Sequence, residues 1–405
     1  MAYSPQSFRF DVISVKLNRS NRRVSKTMTR KTHPIWILFL FLPGFVYAGV
    51  KNEQNLNQIM TDIASEMSLT YPMIVNQQKL SPQDIKLLRT KTKDIVTLFE
   101  QAKPYINQKS NTYQISYDLV LNHLNKTQKS LLNANSIASR KHLRSLGAIC
   151  VSCHTQDTQL RTIYNGIARD KFNSDLAFAE FSYMTRDYNN AVKYYDKYLR
   201  SDSVKSELDL IKPIQRILTI HTQVFHSPGI AAKQLTEYKQ LAAHTKKTQT
   251  HLTGWIEGLK KLRLNHKVKP ENITFKALEA YVNEYIGNTD QAGAEFFSSP
   301  EDEVSRVWLR GALFHYLNDN PSADQIPKIL YWLSICDRTL GYSFSISFAD
   351  LYLKECIVKY SSHDYAKKCY KEYEEFVAVS YSGSGGAFIP QELENELFEL
   401  KKHLK

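Results

Sequence analysis

The sequence predicts an all-α protein in which a four-helix bundle is followed by an α-solenoid of helical hairpins. Along most of the chain, apolar residues recur at three- and four-residue spacing, which places them on one face of a helix. Glycine and proline are scarce, with 14 and 13 positions among 405 residues. Runs of alternating apolar and polar residues, which indicate strands, are few. The length allows two domains, so we expect the bundle and the solenoid to be separate units.

Residues 1–48 have the three parts of a secretory signal. Eight Lys or Arg and a single acid, Asp11, precede or flank the apolar run IWILFLFLPGFVYA, which ends in the small-x-small tripeptide VYA. We therefore expect cleavage after Ala48 and a soluble periplasmic protein, with translation starting at Met28. The alternative is an uncleaved anchor, but the unbroken apolar stretch is much shorter than the ~20 residues of a spanning helix.

The charge of the chain favours a protein partner over nucleic acid. The formal net charge is +13, but residues 1–48 hold eight positive side chains and one negative, and remove +7 of it on cleavage. Of the remaining +6, residues 49–160 hold 13 positive and eight negative side chains, which gives +5. A charge of this size can steer an acidic redox partner, and it is too small to indicate nucleic-acid binding.

Residues 49–165 are predicted to form four amphipathic helices with short connections, as in an antiparallel bundle. We expect the first helix to end at Pro72. The second begins at Ser81-Pro82, a capping residue followed by proline at the first helical position, and stops near Pro104. The fourth begins around Ser136. The apolar stripes of the four helices comprise Leu56, Ile59, Met60, Ile63 and Met67; Ile85, Leu88, Ile95, Leu98 and Phe99; Tyr113, Tyr117, Val120, Leu121 and Leu124; and Leu143, Leu146 and Ile149.

Residues 166–380 contain degenerate helical repeats. The segment DYNNAVKYYDKYL (187–199) resembles the second helix of a tetratricopeptide repeat, with small, aromatic and packing residues at the expected spacing, and YAKKCYKEYEEF repeats that spacing. These positions are Ala191, Tyr195 and Tyr198, then Ala366, Tyr370 and Tyr373. Looser helical pairs are predicted at 206–225 with 229–244, 251–263 with 274–286, and 304–317 with 325–339. We expect an α-solenoid in which each hairpin packs on the next, followed in residues 381–405 by a Gly/Ser linker and a last helix.

Residues 150–154 read CVSCH, the spacing by which haem c is attached. At positions i, i+3 and i+4 of a helix, Cys150, Cys153 and His154 share one face. The two thiols can therefore form thioether bonds with the two vinyl groups of one porphyrin edge, while the imidazole of His154 binds the iron. The expected export takes the motif to the compartment where such attachment occurs. We predict one covalent haem c at this motif.

Three other uses of the cysteine pair have less support. A zinc site needs further ligands at metal spacing, and no second Cys/His pair follows nearby. A thioredoxin-type redox motif needs a strand before the helix, whereas this part of the chain is predicted to be helical throughout. A disulfide between Cys150 and Cys153 is possible but would be strained on a helix.

A four-helix block whose last helix carries Cys-x-x-Cys-His resembles the class II c-type cytochromes, the cytochrome c′ and c-556 group. The resemblance covers about 115 residues, and only the haem motif is specific. It implies a haem inside the bundle, attached to Cys150 and Cys153 and bound by His154. It also implies that a methionine of the first helix, Met60, binds the opposite face of the iron, or that this face is open. The family often has an arginine near that point, and the first helix here has none.

The distal ligand stays open between several residues. Met60 lies on an apolar stripe, where a methionine usually fills the core, so Met67 and an open site are alternatives. His142 precedes His154 by twelve residues, about 120° round the same helix, and should not face the iron. His123, on the third helix, is expected at the surface or in the core more than at the iron.

The three remaining cysteines lie in the repeats. Cys356 and Cys369 fall on consecutive predicted helices with a turn midway between them, so in an oxidising compartment they can form a disulfide; two buried thiols are the alternative. Cys336 is expected in the core.

The sequence predicts an electron-transfer protein, more an electron carrier than a catalyst. The haem would carry the electron, and the repeats would dock a partner protein. One alternative is a five-coordinate haem that binds or senses nitric oxide or carbon monoxide. A second is a helical-repeat adaptor without a redox role. No nucleophile–base set, nucleotide loop or paired carboxylates stand out in the sequence.

Overall fold

Helices make up nearly all the regular structure of this chain, as seen in a computed structural model. The all-α prediction is confirmed for the part that the structure describes. That part comprises residues 47–75, 80–107, 111–133, 139, 142–143, 146–147, 168–201, 207–241, 245–265, 272–287, 298–319, 322, 324–344, 347–383 and 386–404.

The helices follow one another with mostly short connections. Their bounds are α1 Tyr47–Val75, α2 Pro82–Ile106, α3 Asn111–Leu132, α4 Asp175–Met184, α5 Tyr188–Leu199, α6 Glu207–Thr219, α7 Pro228–Gln240, α8 Lys246–Asn265, α9 Phe275–Tyr285, α10 Pro300–Asp319, α11 Ile326–Phe344, α12 Ala349–Lys359, α13 Asp364–Ser380 and α14 Gln391–Lys402. A 3₁₀ turn, Arg169–Lys171, precedes α4, and a π-helical segment, Ile220–Val224, continues α6. The two-residue strands β1 Ser382–Gly383 and β2 Gly386–Ala387 pair antiparallel before α14.

The start of α2 forms as its sequence predicts. The Ser81 hydroxyl accepts a hydrogen bond from the amide of Asp84, and the Asp84 carboxylate accepts one from the amide of Ser81. This reciprocal capping box satisfies two amides that a helix otherwise leaves unpaired. Pro82 occupies the first helical position, where no amide donor is needed.

The first helix does not end at Pro72, as the sequence predicted, but continues through it to Val75. Proline inside a helix removes one backbone hydrogen bond and crowds the preceding turn. On either side of it, Tyr71 and Ile74 are both buried in the core. Burial of these two side chains holds the last turn in a helical conformation, so tertiary packing outweighs the local preference.

The helices α1, α2 and α3 run antiparallel in sequence order. Between α1 and α2, Asn55 donates to the Tyr105 hydroxyl, and Lys91 forms an ion pair with Glu66. Later residues of α1 thus meet earlier residues of α2. Between α2 and α3, the Arg89 side chain donates to the carbonyl oxygen of Leu131 near the end of α3. At the other end of the pair, the Phe99 and Tyr117 rings lie 6.2 Å apart.

The predicted repeat hairpins are present at both ends of the repeat region. Helix α4 packs on α5, and α12 packs on α13. The six positions that match the tetratricopeptide spacing are all buried: Ala191, Tyr195, Tyr198, Ala366, Tyr370 and Tyr373. The α4–α5 turn contains Arg186 at φ 63°, and the Asp187 side chain then caps α5 by accepting from the amide of Asn190.

One predicted pair is wrong. The sequence paired residues 251–263 with 274–286, which correspond to α8 and α9. In the structure α8 packs mainly on α7 and α10, and α9 packs on α10. Two glycines decide this arrangement, because Gly254 and Gly258 bring α8 against the first turn of α10. A Cβ at Gly258 would lie 2.5 Å from the carbonyl oxygen of Glu301.

Among the described helices, α10 packs on the largest number of other elements. It packs on α6, the π segment, α8, α9 and α11, and it also contacts α3. Its residues Val304, Leu309, Leu313 and Phe314 are fully buried. Residues 48–405 form one compact unit around these contacts.

The two cysteines of the last repeat hairpin form a disulfide. Cys356 on α12 is bonded to Cys369 on α13, with 6.3 Å between their Cα atoms. The sequence left open a disulfide or two buried thiols at these positions, and the structure has the disulfide. Cys336 on α11 is a buried free thiol, as predicted.

We expect Gly258→Ala to destabilise the protein by about 1–3 kcal/mol, because the added methyl group would meet the backbone of α10 and overpack the contact. Urea unfolding followed by far-UV circular dichroism measures this loss. Gly229→Ala is the matched control, since a Cβ there meets only the flexible Arg263 side chain at 3.2 Å. Equal stability of the two variants would contradict the close α8–α10 packing.

Candidate functional site

The haem motif itself, Cys150, Cys153 and His154, lies outside the described residues, so its surroundings define the site. The preceding positions 139, 142–143 and 146–147 are helical, as predicted for the fourth helix. Leu143 and Leu146 are buried. Cys150 follows Leu146 by four residues and therefore continues the same face if the helix continues.

Gly147, three residues before Cys150, lies against side chains of α1 and α4. A Cβ at Gly147 would lie 3.3 Å from Sδ of Met184 on α4 and 3.4 Å from Cε2 of Tyr71 on α1. The Tyr71 ring packs on Phe181, with centroids 5.7 Å apart, and Phe181 packs on Phe172 at 5.4 Å. All four of these contacting side chains are buried. The chain therefore enters the motif from a tightly packed apolar environment.

The two methionine candidates differ in burial and in position along α1. Met67 is 2% exposed, whereas Met60 is partly buried against the core. Met67 lies four residues before Tyr71, about 6 Å along the axis, and Met60 lies eleven residues before it, about 16 Å. Tyr71 is the residue of α1 that lies against Gly147. Met67 is therefore nearer than Met60 to the contact between α1 and Gly147.

His123 is engaged in a structural contact. Its Nε2 lies 2.6 Å from the carbonyl oxygen of His142, and the two imidazole rings are 5.3 Å apart in an edge-to-face arrangement. Burial lowers the pKa of His123, and the hydrogen bond to the His142 carbonyl opposes that shift. The contact joins α3 to the helical residues before the motif.

The predicted basic segment also has an acidic cleft. A cavity of about 390 Å³ between α1 and α2 is lined by Asp62, Ser65, Glu66, Asp94, Thr97 and Leu98. The Lys91 ammonium bridges two of the carboxylates, at 2.9 Å from Glu66 and 3.5 Å from Asp94. An acidic partner would therefore dock away from this cleft.

A buried charge cluster, which the sequence did not reveal, joins α4, α5 and α6. The Glu180 carboxylate accepts from the Tyr195 hydroxyl at 2.8 Å and pairs with Lys212 at 3.0 Å and with Arg216 at 3.9 Å. Burial raises the pKa of Glu180, but the two cations outweigh it and the net shift is downward. Arg216 also donates to the carbonyl oxygen of Phe344 at 2.6 Å. These bonds connect the first repeat hairpin to the end of α11.

A second buried charge group lies on α10 and α11. Arg310 donates to Asp337, and the other oxygen of Asp337 accepts from the amide of Phe348 at 2.8 Å. Two turns before Arg310 on α10, Glu303 accepts a hydrogen bond from the indole of Trp255 at 2.6 Å. Burial raises the pKa of Glu303 to about 7, and the Trp255 hydrogen bond and nearby Arg306 only partly oppose it. No sequence pattern marks these positions, because a charged residue on a helix is usually exposed.

Two features are absent from the described ranges. No helix there is long and apolar enough to span a membrane. No group of three or more His, Cys, Asp or Glu side chains in those ranges is arranged to hold a metal ion.

Comparison with known proteins found no matching family model, no matching curated protein and no matching solved structure. The interpretation of the site therefore rests on its own residues.

We expect the stability of the protein to fall as the pH rises from about 4.5 to 7, in part because of Glu303. The folded state holds this proton more tightly than the unfolded state, so folding is favoured below the unfolded pKa and loses that contribution as the carboxyl group ionises. Glu303→Gln should remove this component, and its thermal midpoint should exceed that of the wild type by more at pH 8 than at pH 5.

Trp255→Phe provides the opposite change, because it removes the N–H group that stabilises the Glu303 carboxylate. The decline of its thermal midpoint with pH should be steeper than in the wild type. A Glu303→Gln variant whose pH profile matches the wild type would show that Glu303 ionises normally.

Proposed function

We propose that this chain is an exported monohaem c-type cytochrome that carries electrons to a partner protein. The observation that carries the proposal is the Cys150-x-x-Cys153-His154 spacing behind a predicted secretory signal. In this proposal residues 49–165 form the haem bundle, and residues 166–380 form the helical repeats that dock the partner.

The described surroundings fit a prosthetic group with a large apolar surface. Before the motif, Leu143 and Leu146 are buried, and Gly147 lies against Met184 of α4 and the aromatic ring of Tyr71 of α1. The donor set of two thiols and one imidazole is that of covalent haem c attachment.

Each residue of the motif has a distinct role in the proposal. The thiols of Cys150 and Cys153 would anchor the porphyrin edge, so that the group stays bound in a compartment without free supply. The imidazole of His154 would bind the iron through a neutral nitrogen. The bound haem would supply a one-electron iron couple, and a thioether ligand from the opposite side would raise its potential.

The repeat helices favour a role in partner docking. The α4–α5 and α12–α13 hairpins bury their small and aromatic positions, which leaves their other faces for contacts with a partner. Stacked helical hairpins commonly present extended surfaces for protein recognition. The partner would be a redox protein, and the acidic cleft between α1 and α2 directs an acidic one to another face.

We expect the protein, produced with its own signal and with a c-type maturation system, to carry haem that survives denaturing electrophoresis. The double variant Cys150→Ser/Cys153→Ser should lose this covalent haem, whereas Cys336→Ser, which removes a thiol from α11, should keep it. Haem staining of the gel and the Soret absorbance measure the outcome.

The spectrum also separates this proposal from two others. A low-spin reduced spectrum supports electron transfer through a six-coordinate iron. A high-spin spectrum that shifts with carbon monoxide would indicate a gas binder or sensor. A folded protein without a Soret band would leave a helical-repeat adaptor and refute the haem proposal.

For a low-spin protein, we expect Met67→Ala to give a high-spin spectrum, because Met67 is buried and lies nearer than Met60 to the contact with Gly147. The Met60→Ala variant is the matched control on the same helix. Conversion by Met60→Ala alone would identify Met60, the residue that the family resemblance implies. An unchanged spectrum in both variants would exclude both methionines.

A further inference from the structure

Arg306, on the second turn of α10, is a buried cation without a bonded counter-ion. Its side chain is 6% exposed. Its Nε and Nη1 atoms are inaccessible to solvent and have no hydrogen-bond partner. No carboxylate in the described part of the chain lies within ion-pair distance of it. An isolated buried charge is costly unless an opposite charge accompanies it.

The neighbouring carboxylate on α11, that of Asp337, already accepts hydrogen bonds from groups other than Arg306. Asp337 accepts from Arg310 through one oxygen and from the amide of Phe348 through the other. Glu303, one turn before Arg306, accepts instead from the Trp255 indole. The two carboxyl groups nearest to Arg306 along α10 and on α11 are thus bonded to other donors, and neither accepts a hydrogen bond from Arg306.

The unbonded donors of two arginines lie on the same side of α10. Arg306 and Arg310 are one turn apart, so their side chains share a helix face. The Nη2 atom of Arg310 is also buried without a hydrogen-bond partner, and that side chain is 3% exposed. Both guanidinium groups act electrostatically on the buried thiol of Cys336 on α11, opposing the burial that raises its pKa to about 12. Both charges thus face the same region of α11.

We propose that Arg306 and Arg310 form a buried binding site for one small oxyanion between α10 and α11. The planar guanidinium group matches the oxygens of a carboxylate, phosphate or sulfate through paired N–H donors. A water molecule would satisfy the donors but would not neutralise the charge. The anion therefore acts as a structural ligand that completes the core around α10. This site is independent of the haem motif.

The test is thermal unfolding of the purified full protein in low-millimolar sulfate or phosphate, with chloride at matched ionic strength as reference. At these concentrations the general salt effect of sulfate is small. A specific site raises the unfolding midpoint of the wild type in a saturable manner, since the ligand binds only the folded state. Arg306→Met should abolish this response. Arg306→Lys keeps the charge but loses the planar group with paired N–H donors, so it should weaken the apparent affinity for the oxyanion at least about tenfold.

Arg200→Met is the matched control, because Arg200 forms an exposed ion pair with Glu237 on α7 and should keep the wild-type response. Without added oxyanion, Arg306→Met should be as stable as the wild type or more stable, since it removes an uncompensated buried charge. Crystals grown with selenate should show an anomalous peak beside Arg306 and Arg310.

Three results would overturn the proposal. They are a wild-type midpoint that does not respond to oxyanions, a response that persists in Arg306→Lys and Arg306→Met, and a selenate peak only at other positions. The selenate experiment uses the wild type, so it decides the matter even where Arg306→Met does not fold.

Discussion

The buried ion pair between Arg310 and Asp337 is the interaction around which the C-terminal part of the protein is arranged. It joins α10 to α11, and the Phe348 amide bonded to Asp337 ties in the start of α12. Removing one partner of such a pair typically costs about 3–5 kcal/mol, because the other charge is left buried and uncompensated. The same helix, α10, also packs on α6, α8 and α9. Gly254 and Gly258 allow α8 to approach it closely enough to cover its first turn.

The two proposed ligand sites lie in different parts of the chain and have opposite physical characters. Near the proposed haem site, the described residues are apolar and aromatic. Between α10 and α11, the described residues are charged, and they favour a small anion held by guanidinium groups. The Glu180 cluster links these parts, since α4 contacts Tyr71 and Gly147 on one side and is bonded to Arg216 on the other.

Local signals in the sequence predicted helix starts and buried helix positions correctly where no distant contact opposed them. The Ser81-Pro82 start, the small and aromatic positions at Ala191 and Tyr195, and the buried Leu143 stripe all agree with the structure. The end at Pro72 was wrong because burial of the flanking side chains outweighs the missing hydrogen bond. The α8–α9 pair was wrong because sequence order suggested the partner, whereas Gly254 and Gly258 make α10 the better fit.

The sequence by itself determined the all-α class and most helix positions, because periodicity, capping and proline placement act within a few residues. It also contains the spacing of two thiols and one imidazole on which the haem proposal rests. Only the tertiary structure decided which helices pack together, which cysteines are bridged, and which charges are buried. The physical reason is that burial and ion pairing depend on the sum of distant contacts. Arg306 has the ordinary appearance of a charged residue on a helix, and only the structure shows that it is buried with no hydrogen-bond partner for Nε and Nη1.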